Sequence, residues 1–432
     1  MTNKRVVILG AGLAGLSAAW HLKKNGIDSF IFEKESEVGG LCRTREINGF
    51  SFDCDGHLLH FKNPYTFSLV KDLLGKNLIR HKRQAGIFYQ GCYIPFPFQA
   101  NLYRLPLKIR RECLAGFIQA QEISKGNTII ANFQDWIYAT FGQGMARHFF
   151  IPYNQKFWTV PLDELTCEWL DGFIPVPDLK QVIEGAKRKS SGKFGYNAEF
   201  WYPRYGGIQV LPFALAKDLS HIYTGCPVEK INLRNRTVIT SNKDKIRYDY
   251  LIYTAPLPEL RNMLIGSSSE VNSSFSLLRW NSIFNLNLGI KSKMSSKKHW
   301  IYFPDKEFEF FRLGFYSSFS PCAAPSGAYS VYTEVSLSGL QDFDSSLLVK
   351  KIKQDLIRLG ILPSPDDVLV EHRNFMPYAY PIYDKNHRLI TSKIANYLRK
   401  YNIFLCGRFG SWQYLSMEGA ILQGKQIARE LA

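Results

Sequence analysis

The segment "VVILGAGLAGLSAAWHLKKNG" (6–26) limits the fold more than any other part of the chain. A short β-branched and apolar run, "VVILG" (6–10), reads as a buried parallel strand. It leads into Gly10, Gly12 and Gly15, which stand in G-x-G-x-x-G spacing. "LSAAWHLKKNG" has helical periodicity and ends at Gly26, and "SFIFEK" (29–34) reads as a second strand ending at Glu33. In such a unit the first glycine permits a tight turn, the second lets backbone approach a pyrophosphate, and the third lets helix pack on strand. The helix N-terminus faces the phosphates, and an acid at the end of the second strand meets a ribose hydroxyl. Glu33 falls 18 residues after Gly15, close to the offset of about 20 that this geometry requires. Strand, glycines, helix, strand and acid in that order predict dinucleotide binding. They also make the basic-then-apolar start a strand rather than a signal peptide.

The chain has 432 residues, enough for two or three domains. Its 46% hydrophobic and 21% charged content predicts a packed globular protein. The net charge of +17 is spread over runs such as "IRHKRQ" (79–84), "LKIRRE" (107–112), "AKRKSSGK" (186–193) and "KSKMSSKK" (291–298). None adjoins a nucleic-acid motif, so an anionic small molecule is the expected partner and nucleic acid is not. Eight cysteines without a C-x-x-C pair argue against a disulfide scaffold and for a reducing, cytoplasmic compartment. No run of about 20 uncharged apolar residues occurs, so no transmembrane segment is expected. Residues 101–190 read as helix-rich, including "TIIANFQDWIYATFG" (128–142). Residues 223–255 read as strands, and 276–335 show β-like aromatic alternation in "WIYFP" and "FEFFRLGFYSSFSP". "IFLCGRFG" (403–410) reads as a strand entering a glycine turn, and "AILQGKQIARELA" as a closing helix.

"EVGGLCRT" (37–44) follows the second strand directly. It resembles the glycine-glycine-x-x-Arg-Thr segment of FAD-dependent amine oxidases, protoporphyrinogen oxidases and UDP-galactopyranose mutases. The resemblance implies FAD as cofactor, with Gly40 and Arg43 at its pyrophosphate and Val228 and Arg408 also beside it. The expected fold is α/β: a discontinuous Rossmann-like FAD-binding domain (1–75, 200–265 and 386–432), a helical insert (100–199), and an antiparallel β-sheet substrate domain (76–99 and 266–385).

Further segments resemble one branch, the eukaryotic-type UDP-galactopyranose mutases, in matching order over most of the chain. They are "YIPFPFQANLYRLP" (93–106), "PYNQKFWTVPLDELTCEWL" (152–170), "YNAEFWYPRYGGI" (196–208), "HWIYFP" (299–304) with Arg312 and "SSFSP", "YAYPIY" (378–383) and "GRFGSWQY" (407–414). The resemblance implies that Arg312 clamps a nucleotide diphosphate, with Trp300, Tyr302, Tyr380 and Tyr414 beside it. Gln99, Asn154, Trp158 and Asn197 would line the sugar side. A buried arginine also needs an anionic partner on general grounds.

"GFSFDCDGHLLHF" (49–61) resembles the family loop that runs along the isoalloxazine ring, with His57 near N5. Asp55 replaces the first of that loop's paired glycines. A metal is not expected, because His57 and His60 have no second ligand cluster. His60 is read as packing, and Asp53 as capping a turn. Two departures from the family pattern stand out. In "WLDGF" Phe173 occupies the place of a second diphosphate-clamping arginine, for which Arg204 or a lysine between 187 and 193 could substitute. After Tyr414 the family's acidic, histidine-containing turn is replaced by "LSMEGAI", whose Met-Glu end resembles other members of the wider superfamily. Ala100 stands where an asparagine is common.

The resemblance implies a mutase that interconverts pyranose and furanose forms of a nucleotide sugar for cell-surface glycan synthesis. Reduced FAD would act through N5 as nucleophile, so a reductant such as NADPH or NADH is an expected partner. No protein nucleophile motif is present. The rival reading is an oxidoreductase of the amine oxidase or protoporphyrinogen oxidase type, which Phe173 and the altered turn favour. The sequence leaves the sugar, the nucleotide and the oligomeric state open.

Overall fold

The computed structural model describes residues 4–123, 129–170, 172–190, 192, 194–195, 197–293 and 296–432. Lys193, one of the lysines considered as a substitute cation, lies outside them. The first strand, β1 (Val6–Leu9), is buried along its whole length, as an apolar run with partners on both sides must be. It pairs in parallel with β2 (Ser29–Phe32) on one side and with Tyr250–Tyr253 on the other. Ile403–Leu405 and Ile222–Tyr223 close the edges of this five-stranded parallel sheet. Helix α1 (Leu13–Lys24) packs against the closing helix Met417–Leu431. The approach is tight enough that a Cβ on Gly424 would lie 2.7 Å from the Ala18 nitrogen. One Rossmann-like layer is thus assembled from both ends and the middle of the chain, as the discontinuous arrangement requires.

The second layer is a seven-stranded sheet in the order 368–381, 280–290, 329–338, 312–315, 300–302, 85–89 and 92–95. It is antiparallel, as expected, with one exception where Trp300–Tyr302 runs parallel to Ala85–Tyr89. That exception follows from topology: the early hairpin 85–95 joins the edge of a sheet whose other strands come two hundred residues later. One correction concerns "FEFFRLGFYSSFSP". Only Arg312–Phe315 is strand, and Tyr316–Phe319 turns into a short helix. Helices Leu107–Ile123, Phe133–Met145, Ile151–Trp158 and Leu179–Lys187 form the insert. The second begins at Phe133 because the Asn132 side chain accepts the Asp135 N–H, which caps the helix there. All eight cysteines are unbridged, and among the described residues no helix is long and apolar enough to cross a membrane.

Asp53 ties the layers together. Its fully buried carboxylate accepts from the Thr44 hydroxyl at 2.6 Å, the Tyr202 hydroxyl at 2.7 Å and the Ile208 N–H at 3.2 Å. Its carbonyl accepts from the Tyr316 hydroxyl at 3.0 Å. The expected turn cap is therefore a structural junction. Burial pushes this carboxyl up to about 7, against the opposing pull of those donors. Between its ordinary value of 3.8 and about 7 the folded chain holds a proton that the unfolded chain releases, so this group's contribution to stability falls as pH rises through that window. Chemical unfolding of Asp53→Asn is expected to show a flatter pH dependence there than the wild type, and parallel curves would contradict the assignment.

Candidate functional site

The nucleotide cradle forms where β1 meets α1. A Cβ on Gly15 would lie 2.1 Å from the Gly10 carbonyl oxygen, so only glycine lets the helix start this close to the strand. The segment carrying Gly39 and Gly40 folds back over the turn through a Gly12–Gly39 bridge. A Cβ on Gly40 would come within 3.2 Å of the Gly12 Cα, so two bare backbones face one another. Gly12 caps α1 without a side-chain hydrogen bond, which leaves the helix N-terminus open to an anion. Glu33 is buried one residue past β2 and accepts the N–H groups of Ala11 at 2.7 Å and Glu35 at 3.0 Å. Its two oxygens retain further acceptor capacity for a ribose hydroxyl. Arg43 is half-buried beside the turn and donates to the Gly40 carbonyl at 2.8 Å. Val228 begins the strand that follows Gly225 and Cys226, whose N–H groups bond the carbonyls of Glu35 and Glu33. The glycine turn, the open helix end and the buried acid suit an FAD pyrophosphate and ribose.

From Asp53 the chain runs across the face of the seven-stranded sheet. The Cys54 carbonyl accepts from the Asn374 amide at 3.4 Å. His57 is half-exposed as a residue, but its Nδ1 is shut from solvent without a partner among the described residues. Burial lowers its pKa, so the imidazole is neutral near pH 7. An orphaned ring nitrogen on the loop next to the cradle is the second feature that fits a flavin ring.

Beneath this loop the strand register lines up a polar row. Asn374, Asn285, Glu334, Arg312 and Tyr302 are successive cross-strand neighbours on five strands, and directly opposed residues share a face. Arg312 grips Glu334 with two parallel donors, Nε and Nη2. Glu334 is fully buried, and its carboxyl also contacts that of Asp55. Contact with a second acid disfavours its charge. Burial, helped by Asp55 and opposed by Arg312, holds Glu334 well above the usual carboxylate range. Next to it the Asn285 amide has neither atom partnered among the described residues.

Arg312 opens into a pocket of roughly 230 Å³. Tyr302, Tyr380, Tyr414 and Trp300 line it with Gln99, Asn154 and Asn197. Burial raises the pKa of Tyr380 and Tyr414, so both hydroxyls stay protonated and can donate. The Arg408 guanidinium lies 4.4 Å from the Tyr380 ring and 4.9 Å from that of Tyr414. Its donors go to the carbonyls of Ala379 and Leu415, so it stiffens this wall. A wider groove of about 660 Å³ beside Phe32, Tyr223 and Cys226 shares no lining residue with the pocket.

The expected residues largely converge, with exceptions. Trp158 does not line the pocket. It is fully buried behind the wall, edge-on to Trp169 and Tyr380. His60, read as packing, does line it, and burial lowers its pKa to about 4. Arg204 is exposed and absent from the lining, so it is no replacement cation. Glu334 and Tyr332 were missed. Alternation in "SVYTEV" puts them on one face of strand Tyr329–Ser338, but no motif marks them. Tyr332 needs bare backbone beside it: a Cβ on Gly56 or on Gly314 would fall 2.0 Å from its side chain.

Comparison with known proteins agrees with this geometry. The profile of the flavin-containing amine oxidoreductases matches residues 13–432. A reduced UDP-galactopyranose mutase crystal structure superposes with a TM-score of 0.93 at 27% identity, covering 100% of this chain and 94% of the other. The UDP-galactopyranose mutase of Mycoplasma pneumoniae is 20% identical over 98% of this chain and 95% of its own. Protoporphyrinogen oxidase 2 of Arabidopsis thaliana is 25% identical over 91% of this chain and 87% of its own.

Replacing Arg312 alone would leave Glu334 buried without its guanidinium. Arg312→Ala is expected to cost about 3 kcal/mol of unfolding free energy, and adding Glu334→Gln to recover most of it. Equal stability of the wild type and the single variant, measured by denaturant titration, would show that the pair is not a unit.

Proposed function

The chain belongs to the flavin-containing amine oxidoreductase family, and from that premise we propose that it is an FAD-dependent nucleotide-sugar mutase exchanging pyranose and furanose forms. The observation that carries this reading is the convergence of Arg312, Tyr302, Tyr380 and Tyr414 on one aromatic-walled pocket beside the His57 loop. A mutase must hold its leaving diphosphate so that it can return, and a fixed guanidinium with tyrosine donors is suited to that. When bound and reduced, FAD supplies the nucleophile for exchange at the anomeric carbon.

The protein's share is position and electrostatics. Arg312 and the tyrosines orient the diphosphate. Trp300 and the phenylalanines of the wall exclude water, which strengthens those contacts. Gln99, Asn154 and Asn197 offer amides to ribose, base or sugar hydroxyls. Neutral His57 can accept or hold one proton at its unpartnered Nδ1. NADPH or NADH is the proposed reductant, and a cell-surface glycan the proposed destination of the furanose.

Phe173 and the masking of Arg312 by Glu334 favour a second reading, in which an oxidisable substrate gives electrons to FAD. The two readings separate in one assay. Purified FAD-bound protein is incubated anaerobically with UDP-, GDP- and dTDP-sugars in both ring forms, with and without dithionite. Ring exchange only with reduced FAD is expected. No exchange across the panel, with flavin reduction driven by an oxidisable compound, would establish the redox reading instead. In a Glu334→Gln background, which leaves no lone buried carboxylate, Arg312→Ala is expected to lower turnover about 100-fold or more with FAD retained. Unchanged turnover would remove Arg312 from the site.

A further inference from the structure

We propose that Glu334 competes with the ligand's diphosphate for Arg312, and that binding in this pocket is coupled to uptake of a proton by Glu334, with Asp55 and Asn285 as its partners once Arg312 has left. This coupling rests on the nucleotide-sugar reading of the pocket. It adds two positioning residues, Asp55 and Glu334, which are absent from the lining and act through Arg312.

Among the described residues Arg312 is the only lysine or arginine that lines the pocket. Lys187 and Lys189 are exposed and absent from the lining. His60 lines it, but burial lowers its pKa to about 4, so it brings no charge near neutrality. An anion in this pocket therefore depends on Arg312 for its cation. In the ligand-free chain that guanidinium is already committed: Nε donates to one Glu334 oxygen and Nη2 to the other. A carboxylic acid keeps a hydrogen on one oxygen, so a fork closed on both oxygens suits the ionised form. Glu334 is fully buried, and loss of Arg312 would leave that charge uncompensated.

Partners for the neutral form are already in place. The Asp55 carboxyl contacts that of Glu334 and can accept from it when Glu334 is protonated. Asp55 is itself buried, and its Oδ1 accepts the Gly56 N–H at 2.6 Å. Asn285 stands directly opposite Glu334 in the strand register. It is fully buried, and neither atom of its amide is partnered among the described residues. That amide can donate to the carbonyl oxygen of a protonated Glu334, which satisfies a buried donor. Burial and Asp55 favour the uncharged acid, and Arg312 opposes them. Once a diphosphate draws Arg312 away, the balance passes to the first two, and a solvent proton ends on Glu334. A neutral acid, rather than a carboxylate, then stands behind the phosphates.

The neighbouring groups leave this titration to Glu334. Arg312 keeps its guanidinium charge, with Tyr302 opposite it in the register. Burial raises the pKa of Tyr153, Tyr332, Tyr380 and Tyr414, so these hydroxyls stay protonated. Burial lowers that of His57, which stays neutral at pH 7. Asp53 is pushed up to about 7, but its carboxyl is held by Thr44, Tyr202 and Ile208 and is absent from the lining.

Calorimetry of a nucleotide sugar binding to the oxidised, FAD-loaded protein tests the coupling. UDP-galactose is the probe, with a GDP-sugar and a dTDP-sugar tried in turn, because a diphosphate esterified at both ends does not itself titrate near neutrality. Titrations at about pH 7 in buffers of different ionisation enthalpy count the protons exchanged, and the wild type takes up about one per ligand. A Glu334 pKa higher in the complex than in the free protein makes affinity full below the free value and lost as pH rises through the bound one. Between about pH 6 and pH 8 the wild-type Kd therefore rises with pH, by up to about tenfold per unit. Glu334→Gln abolishes the uptake, flattens the profile and binds more tightly than wild type at the upper end, while Asp53 and His57 are still present. Asp55→Asn, which removes the second acid, moves the profile to lower pH. FAD content and unfolding midpoint confirm that both variants are folded and loaded. A wild type that binds without proton uptake overturns the coupling with no variant needed. A Glu334→Gln protein with the wild-type uptake also overturns it, because the proton then goes to another group. An Asp55→Asn profile that stays in place removes Asp55 from the mechanism. If none of the three nucleotide sugars binds the wild type, the nucleotide-sugar reading fails first and takes this coupling with it.

Discussion

A buried guanidinium needs acceptors for its donors, and the site is organised by how this chain meets that requirement for Arg312. Glu334, fully buried on the neighbouring strand, takes both donors of the fork. That contact demands a register linking strands 312–315 and 329–338. The same register carries Tyr302 on one side and Asn285 on the other into a single polar row. The Asp55 loop closes over the row, and Asp53 anchors that loop to Thr44, Tyr202 and Ile208 of the nucleotide-binding layer. The cradle and the seven-stranded sheet are thereby held in fixed relation through two buried carboxyl groups.

A buried pair also limits what the site can attract. An arginine whose fork is closed on a buried acid presents fewer free donors to a ligand than its sequence context promises. Phe173, in the place of a second arginine, adds none. Under the nucleotide-sugar reading, holding a diphosphate then leans on the tyrosine hydroxyls. It is here that the mutase and redox readings part.

The glycine turn, Glu33 and the paired glycines were legible in the sequence, because each answers a steric or electrostatic demand met within about forty residues. The grouping of Arg312 with the tyrosines was legible through family resemblance, although Arg312, Tyr302 and Tyr380 sit on three strands and Tyr414 on a loop. Glu334 was not legible. Alternation tells which residues share a strand face, but not which strand lies opposite, and its partner is set by a sheet assembled from distant segments. Asp55 was unreadable for the same reason: its meaning lies in a carboxyl on a strand almost three hundred residues later. Trp158 misled because a tryptophan in a matching segment reads the same whether it lines a wall or backs it. The helical tail of "FEFFRLGFYSSFSP" misled because aromatic alternation persists across a short turn of helix.

The central claim is that this pocket holds a nucleoside diphosphate against Arg312 next to the flavin. A crystal structure of the FAD-loaded protein with UDP tests it most directly. The account predicts the diphosphate within hydrogen-bond reach of the Arg312 guanidinium and of the hydroxyls of Tyr302, Tyr380 and Tyr414. UDP bound elsewhere, or a pocket that stays without it while Arg312 remains closed on Glu334, would contradict the account.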